Sequence, residues 1–396
     1  MDSSADLIKK FSFEKRFTWE VKVGNIGIGG DNPIRIQSMT NTDTMDTEKT
    51  VSQVIRMVDA GCELVRITAI DQKQAENLYS IKNELIKRNY NIPLIADIHF
   101  NPKAAEIAAK YVEKVRINPG NYTDKNRGKF EHTPAEYQAE LDKIEDRLFP
   151  LIEICKENNT AIRIGTNHGS LSERIVGKYG NTPYAMAISA LEFTTICHDL
   201  EFRNIVLSQK SSNVKQMIMA TRLLAEILDS KGLYYPLHLG VTEAGDGEDG
   251  RIKSSIGIGG LLAMGIGDTI RVSLTEDPEK EIPVAQSILQ STGDRIYKAE
   301  FISCPSCGRT KYDIQGALKK VKEECSHLIG VKIGVMGCIV NGPGEMADAH
   351  YGYVGAREGK INLYRSKNLV YQNIDESIAL EKLIEMIKQD GKWVER

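Results

Sequence analysis

In the run Ile162-Arg163-Ile164-Gly165-Thr166-Asn167-His168, an arginine stands between two branched apolar residues. Side chains alternate along a β-strand, so an arginine whose two neighbours pack against outer helices points to the opposite, inner face. The same pattern recurs in four more runs: Ile34-Arg35-Ile36, Val65-Arg66-Ile67, Val115-Arg116-Ile117 and Ile270-Arg271-Val272. This repetition predicts a sheet whose inner face is basic.

The surrounding sequence predicts a closed barrel. From about residue 34 to about residue 290, apolar strand-like runs alternate with amphipathic stretches in eight strand-then-helix units. Eight units in about 250 residues favour an α/β fold of the (β/α)8 TIM-barrel type over an open doubly wound sheet, which would carry a nucleotide signature after its first strand. The run from Val21 to Gly30 predicts a hairpin that plugs the barrel bottom. Strands are expected to begin near Ile34, Glu63, Ile92, Glu113, Thr160, Arg203, Tyr235 and Asp268.

After residue 290 the pattern changes to that of a small α+β domain. Short strands are expected at Phe301–Ile302, Val331–Met336 and Ile361–Tyr364, and helices at Ile314–Cys325 and Asp375–Gln389. We therefore expect a barrel domain over residues 1–290, a linker over residues 291–300 and a second domain over residues 301–396.

The bulk composition excludes several classes of protein. With 51 basic and 54 acidic residues the net charge is −3, which provides no general attraction to nucleic acid or to an anionic membrane. No apolar run approaches the roughly 20 residues of a membrane span, and the first ten residues lack the apolar core of a signal peptide. A cytoplasmic protein is expected. Seven cysteines, an odd number, argue against a disulfide framework and leave thiols available for metal.

The inward arginines need an anionic partner, because burying an unpaired charge is costly. Any one of them is better explained by a structural pair with an inward carboxylate. A group near the carboxyl ends of the strands, however, lies where barrel enzymes place their active sites. Lys210, in Leu207-Ser208-Gln209-Lys210, adds a point charge to the arginine forks, and this combination suits a phosphate or diphosphate. We predict a small substrate with two phosphate groups.

Polar side chains at the ends of several strands are candidates for the chemistry. Each of them alone more often caps a loop or satisfies a core group than takes part in catalysis. Their shared position at the strand ends indicates a functional role. They are Asp97, His99, Asn118, Asn167, His168 and Glu243.

Three cysteines of the second domain have the spacing of metal ligands. Cys304-Pro-Ser-Cys307 provides two thiolates, and Cys338 provides a third from a loop of glycines and a proline that ends at Glu345. A zinc ribbon would need a second CxxC pair, which is absent. Three cysteines fit a cubane iron–sulfur cluster with one iron left for another ligand, and the carboxylate of Glu345 is the obvious oxygen donor. The alternative is a zinc site closed by His327 or His350.

These motifs resemble a known family, the 4-hydroxy-3-methylbut-2-en-1-yl diphosphate synthases. The resemblance covers the chain from about Thr18 onward. It rests on runs in both domains: Ala96-Asp97-Ile98-His99-Phe100, Arg163–Leu171, Gly267–Ser273, Cys304–Thr310 and Gly337–Glu345. It implies a two-electron reductive ring opening and dehydroxylation of 2-C-methyl-D-erythritol 2,4-cyclodiphosphate. It also implies a barrel similar to that of dihydropteroate synthase and a second domain similar to sulfite and nitrite reductase modules.

The resemblance further implies cofactors, partners and residue roles. A [4Fe–4S] cluster would be held by Cys304, Cys307, Cys338 and Glu345, and electrons would come from a ferredoxin or a flavodoxin. The diphosphate would be held by Arg66, Arg116, Arg163, Lys210 and Ser273, with Ser208 and Arg271 beside them. The carbon skeleton would be surrounded by Asp97, His99, Asn118, Asn167, Glu243 and Asn341.

The sequence leaves two rival interpretations open and favours a dimeric assembly. One rival is a non-redox phosphosugar or pterin-type barrel enzyme with a zinc-stabilised tail, for which Lys210 is the only good candidate for a lysine inside a strand. The other is an iron–sulfur carrier, which would have no use for arginines inside a barrel. The connection from about Gln290 to Glu300 is eleven residues long and spans under about 40 Å, and it favours a homodimer with composite active sites, as does the resemblance.

Overall fold

The computed structural model describes residues 14–123, 128–310, 312–340 and 342–396. They form two compact units with a boundary between Arg295 and Ile296. Among the helices that the structure describes, none combines the length and apolar character that a membrane span requires.

The first unit is a parallel barrel, as predicted. Its strands run in the order β8-β7-β6-β5-β4-β3-β10-β9, and a parallel bridge between Leu207 and Leu237 joins the two ends. Every strand begins within three residues of its expected start, because apolar runs bounded by polar turns locate strands well. The strands are β3 Arg35–Met39, β4 Leu64–Thr68, β5 Leu94–Asp97, β6 Lys114–Ile117, β7 Ala161–Asn167, β8 Ile205–Lys210, β9 His238–Leu239 and β10 Thr269–Ile270.

The predicted hairpin closes the bottom of this barrel. Strands β1 (Val21–Val23) and β2 (Ile26–Ile28) pair antiparallel around a turn at Gly24, whose φ of +61° suits glycine. Three hairpin side chains, Val21, Val23 and Ile28, enter a buried apolar cluster. The barrel supplies the rest of that cluster from four strands: Leu64, Ile95, Ala161 and Val206.

Helices cover the outside of the barrel. Several begin at a side-chain cap, and the longest has a capping box in which Thr133 and Glu136 satisfy each other's backbone amides. The helices are α1 Thr47–Asp59, α2 Gln72–Lys87, α3 Pro102–Ala108, α4 Pro119–Tyr122, α5 Pro134–Asn158, α6 Glu173–Tyr179, α7 Pro183–Asp199, α8 Val214–Ser230, α9 Gly247–Ser254, α10 Gly260–Leu262 and α11 Glu281–Ser291.

The second unit is a five-stranded mixed sheet with helices. Strands β11 (Glu300–Ser303), β12 (Lys332–Met336) and β13 (Tyr351–Arg357) are parallel, and β14 (Lys360–Arg365) and β15 (Asn368–Asp375) continue the sheet antiparallel. Its helices are α12 Ile314–Cys325, α13 Gly342–Glu345 and α14 Glu376–Gln389.

Two strands of this sheet, β13 and β15, were not predicted. Glycines weaken the strand pattern of β13, yet packing demands them. A Cβ at Gly352 would lie 2.3 Å from the sulfur of Met346, and one at Gly355 would lie 2.5 Å from the carbonyl oxygen of Gly337. Strand β15 is an edge strand with mostly exposed residues, so it lacks the alternation that marks a half-buried strand.

Candidate active site

Basic side chains converge inside the barrel near the carboxyl ends of the strands. Arg66, Arg116, Arg163 and Lys210 are 7%, 3%, 1% and 5% exposed. Arg271, at the end of β10, is partly buried. We call these five residues the basic cradle.

Asp97 holds two arginines of the cradle. Its carboxylate accepts a hydrogen bond from Nη1 of Arg116 at 3.1 Å and lies 3.8 Å from Nε of Arg66. Burial by itself would raise the pKa of Asp97, but the charges of Arg66 and Arg116 outweigh it and hold that pKa well below its usual value. The carboxylate therefore stays ionised at neutral pH and suits a positioning role better than that of a proton donor.

Arg66 and Arg271 share the sulfur of Met39. The sulfur lies 3.0 Å from Nε and 2.9 Å from Nη2 of Arg66, and 3.4 Å from Nη1 of Arg271. Arg271 is also paired with Glu281, a buried carboxylate at the start of α11, at 3.3 Å. Glu281 accepts further bonds from the Ser38 hydroxyl at 2.6 Å and the Leu274 amide at 3.1 Å, so it ties β3 and β10 together.

Arg163 and Lys210 have fewer protein partners. Nη1 of Arg163 donates to the hydroxyl of Ser208 at 3.1 Å, but its Nε and Nη2 find no acceptor among the described residues. Burial and then neighbouring cations lower the pKa of both Arg163 and Lys210 well below the usual values, and burial lowers that of Arg66 to about 10. Buried donors that protein acceptors leave unsatisfied suit an anionic ligand.

Two strand glycines make room for the cradle. A Cβ at Gly165 on β7 would lie 2.6 Å from Nε of Arg116. A Cβ at Gly240 would lie 2.8 Å from Nζ of Lys210 and 2.7 Å from the carbonyl oxygen of Arg271. The long basic side chains therefore cross the backbone of neighbouring strands at positions where a Cβ atom would crowd them.

The polar strand-end residues surround the mouth of the barrel. Asn167 Oδ1 accepts a weak bond from Arg116 at 3.4 Å, and Asn118 donates to the Ser170 hydroxyl at 2.7 Å. Burial lowers the pKa of His99, while Asp97 partly opposes that shift. Glu243 is exposed and adopts a left-handed φ of +53°, the kind of backbone strain that is concentrated at functional sites.

Of the three remaining predicted site residues, the structure describes two. His168 opens a short 3-10 turn directly after β7, and Ser273 is half-buried two residues beyond Arg271. Asn341 lies outside the described residues.

The structure corrects two expectations about basic residues. Arg35 does not join the cradle: it donates to the carbonyl of Gly27 in the bottom hairpin and pairs with Glu63 at 2.9 Å, at the amino end of β3. Lys210 is not the only lysine inside a strand. Lys114, the first residue of β6, is 0% exposed, and its Nζ finds no partner among the described residues. Its alternation with Arg116 could have revealed it, because residues two apart share a face.

The second unit gathers the predicted cluster ligands around one cavity. Cys304, Cys307, Cys338 and Glu345 line a space of about 410 Å³. The Gly337 amide donates to Sγ of Cys304 at 3.1 Å. The pKa of the exposed Cys307 thiol is lowered, first by the backbone amide of Arg309 and also by its guanidinium. Within the described part of the chain, no three His, Cys, Asp or Glu side chains converge on a point that would hold a single ion. A multi-iron cubane does not need such convergence.

The two histidines considered for a zinc site are used elsewhere. Nε2 of His327 lies 2.8 Å from the carbonyl oxygen of Val394, and its ring packs edge-on against Trp393. Nδ1 of His350 lies 3.1 Å from the amide of Lys332. Neither histidine is among the residues that line the cysteine cavity, so the zinc alternative is not favoured.

Together the two units define the class: a TIM-barrel enzyme with a basic interior, joined to a cysteine-lined module. Residues 18–286 match the GcpE TIM-barrel domain, and residues 300–389 match the GcpE protein C-terminal domain. The chain belongs to the GcpE family.

Two relatives that the chain matches over nearly their whole length share one name. The chain is 52% identical over 385 residues to the 4-hydroxy-3-methylbut-2-en-1-yl diphosphate synthase (ferredoxin) of Prochlorococcus marinus subsp. pastoris, covering 96% of this chain and 95% of the relative. It is 53% identical over 387 residues to the protein of that name from Gloeothece citriformis, covering 97% and 95%.

Among solved structures, the chain is similar to dihydropteroate synthase from Stenotrophomonas maltophilia. The TM-score is 0.41 at 12% identity, with 68% of this chain and 97% of that chain covered. The barrel assignment rests on the strand order described above.

Proposed function

We propose that this chain is an oxidoreductase of isoprenoid biosynthesis that converts 2-C-methyl-D-erythritol 2,4-cyclodiphosphate into 4-hydroxy-3-methylbut-2-en-1-yl diphosphate. In this reaction two electrons and a proton enter, the ring opens at a carbon–oxygen bond to phosphate, and a hydroxyl leaves as water. The observation that carries the proposal is the similarity, over 96% of the chain, to relatives that have this name. The basic cradle is chemically suited to such a substrate.

The cradle would hold the diphosphate. Arg66, Arg116, Arg163, Lys210 and Arg271 would bind its oxygens by charge-assisted hydrogen bonds, with the hydroxyls of Ser208 and Ser273 beside them. The unsatisfied donors of Arg163 support this role. Ring opening frees a phosphate oxygen and adds a negative charge to the ligand. Because the cradle is fixed by Asp97, Met39 and Glu281, it would stabilise that charge without reorganising.

The strand-end residues would surround the carbon skeleton. We assign this position to Asp97, His99, Asn118, Asn167, His168, Glu243 and Asn341. Departure of the hydroxyl as water needs a proton donor, and the ionised Asp97 is a poor one because two arginines hold it. We therefore assign the proton transfer to Glu243 or His99 at the mouth of the barrel.

The cysteine cavity would hold a [4Fe–4S] cluster. Cys304, Cys307 and Cys338 would bind three irons and Glu345 the fourth. Their shared cavity, the amide bond to Cys304 and the lowered pKa of Cys307 support this assignment. When bound, the cluster supplies electrons one at a time and a Lewis-acidic iron. A ferredoxin is the proposed electron donor, in keeping with the relatives' name, and a flavodoxin is the alternative.

We also infer a homodimer with composite active sites. Helix α11 ends at Ser291 and β11 begins at Glu300, so a short connection leads from the barrel to the cysteine module. Such a connection spans at most about 3.3–3.6 Å per residue. Since the final barrel helix runs back toward the barrel bottom, a head-to-tail dimer would let each cysteine module close the partner's barrel.

Anaerobic turnover tests the proposal. Protein purified without oxygen is expected to contain about four irons with matching sulfide, and to convert the cyclodiphosphate when a chemical reductant is supplied. Cys304→Ser, Cys307→Ser and Cys338→Ser are expected to lose iron and sulfide together. Stoichiometric zinc without sulfide would contradict the cofactor assignment, and a full cluster without turnover would contradict the reaction.

A further inference from the structure

A second layer of polar side chains lies beneath the basic cradle. Lys114, two residues before Arg116 on β6, faces the barrel interior and is fully buried. His238 on β9 is 1% exposed, and neither of its ring nitrogens finds a partner among the described residues. Gln37 on β3 is likewise buried, with an amide that no described group satisfies. This layer belongs to none of the roles assigned above.

The groups that face Lys114 are mostly cationic. The charges of Arg163 on β7 and Arg66 on β4 lower the pKa of Lys114, and the charge of Lys114 lowers the pKa of His238. Asp97 on β5 is a buried carboxylate that is already engaged by Arg66 and Arg116. The other charged groups on the inner face are Arg116 on the same strand, Lys210 on β8 and Arg271 on β10, whose partner is Glu281.

In the ligand-free barrel, the interior contains more basic side chains than carboxylates. Among the described residues, six basic side chains (the cradle and Lys114) face two carboxylates, Asp97 and Glu281, an excess of four if all are ionised. A cyclic diphosphate has two negative charges. Guanidinium groups keep their proton in proteins, whereas a buried lysine gives its proton up readily. The lysines are therefore the groups whose protonation state can change.

We propose that Lys114 is a neutral amine in the ligand-free barrel and takes up one proton from solvent when the cyclic diphosphate binds above it. It then becomes a buried ammonium beneath Arg163 and supports the cradle without touching the ligand. Lys114 is thus a positioning residue. This inference rests on the proposed function, because it needs a dianion in the cradle.

The direction of the pKa shift agrees with this role. Burial, and then the charges of Arg163 and Arg66, lower the pKa of Lys114 well below that of a free lysine. A bound dianion opposes the cationic charge, so the pKa of Lys114 rises on binding and a proton is taken up. The pKa of His238 is also lowered, but from a far lower starting value, so this imidazole stays neutral with ligand bound. The extra negative charge formed on ring opening would hold the ammonium more firmly.

Calorimetric titration measures the proton directly. The cyclodiphosphate is titrated into the anaerobic holoenzyme without reductant, in two buffers that differ in ionisation enthalpy. The wild type is expected to take up about one proton more per ligand than Lys114→Met. Lys110→Met is the matched control, because Lys110 is an exposed lysine just before β6, and it is expected to behave as the wild type. Lys210 can add its own proton, and the same contribution is expected in all three proteins because Lys210 is unchanged in them.

A second variant covers the case in which the methionine protein does not fold. Lys114→Arg keeps a permanent charge, so it is expected to bind ligand and to show the same reduced proton uptake. If a folded Lys114 variant binds the cyclodiphosphate with the wild-type proton uptake, the inference is overturned and the proposed function stands. If the wild type does not bind the cyclodiphosphate at all, the proposed function fails and takes the inference with it.

Discussion

Asp97 is the residue that organises the cradle, since its carboxylate is shared by Arg116 and Arg66. Replacing it with asparagine leaves two buried guanidinium groups without a counter-charge. We expect Asp97→Asn to lower the free energy of unfolding by about 3–5 kcal/mol at neutral pH. Denaturant unfolding followed by circular dichroism measures this loss. Asp146→Asn, on the exposed face of α5, is the control and should change stability by less than about 0.5 kcal/mol.

The pH dependence of the same variant has a definite sign. Because the folded protein depresses the pKa of Asp97, its contribution is fully present above the unfolded pKa of about 4. It is lost as the pH falls through the lower folded value. The stability difference between wild type and Asp97→Asn should therefore shrink only below about pH 4. A difference that is constant down to acid denaturation would contradict the ionised pair.

The arginines and lysine of the cradle are expected to act on the substrate rather than on the cluster. Arg116→Ala, Arg163→Ala and Lys210→Ala should each cost about 1.5–3 kcal/mol in kcat/KM, the usual contribution of a charged hydrogen bond, with cluster absorbance intact. Arg35→Ala is the matched control, because Arg35 pairs with Glu63 at the opposite end of the barrel. Normal turnover in the three cradle variants would show that these basic residues are structural.

Glu345 is expected to be a ligand that can also release its iron. Glu345→Ala should alter the cluster spectrum and abolish turnover. Glu345→Cys should retain about four irons, since thiolates are the usual cluster ligands, yet remain inactive because a thiolate is not displaced by an oxygen ligand. Iron content, sulfide content and turnover are measured on the same samples. Wild-type activity in Glu345→Cys would remove the need for an exchangeable ligand.

At the scale of the element, the strands shape the cradle by the side chains that they carry and also by glycines, which have no side chain. Gly165 on β7 and Gly240 after β9 leave the space that Arg116 and Lys210 occupy. The two positions differ in what an added methyl group would meet. At Gly165 the nearest atoms belong to the side chain of Arg116, which can move, whereas at Gly240 a backbone oxygen also lies 2.7 Å away.

This difference separates substrate binding from folding. We expect Gly165→Ala to fold with a thermal midpoint near that of the wild type but to lower kcat/KM about 10-fold or more, because a small displacement of Arg116 misaligns a charged contact. Gly240→Ala is expected to lower the thermal midpoint, because the backbone of β10 must move. Gly259→Ala is a suitable control, since the nearest atoms around an added Cβ there lie at 3.7 Å. Unchanged kinetics in Gly165→Ala would show that the orientation of the Arg116 guanidinium does not limit turnover.

At the scale of the whole molecule, the proposed function assigns the substrate to one unit and the cluster to the other, and the homodimer proposal can be tested by mixing. Arg163→Ala is expected to retain only a small fraction of wild-type activity, and Cys338→Ser is expected to be inactive. In a heterodimer with composite sites, one site combines an intact barrel with an intact cysteine module. Activity should therefore return after subunit exchange, up to about half per heterodimer. Exchange is verified with differently tagged subunits, and verified exchange without rescue would favour closure within one chain.

Much of this molecule follows from local pattern. The barrel, its bottom hairpin and the inward direction of Arg66, Arg116 and Arg163 follow from alternation within single strands, which needs no knowledge of neighbours. The grouping of Cys304, Cys307, Cys338 and Glu345 around one cavity, which we propose holds the cluster, follows from spacing within two short loops. These features are encoded over a few residues, and the structure places them where the pattern indicates.

Features that depend on contacts between distant segments could not be obtained in this way. Strand register, and the position of each helix over the strand ends, decide which charged side chains meet. They pair Asp97 with two arginines and Arg271 with Glu281, and they place Arg35 at the barrel bottom. Strand β13 was not predicted because the glycines that its packing against Met346 requires interrupt the strand pattern. Strand β15 was not predicted because it is an edge strand whose residues are mostly exposed. Lys114 became significant only when its burial among cations was known, because the state of a charge is decided by what surrounds it in space.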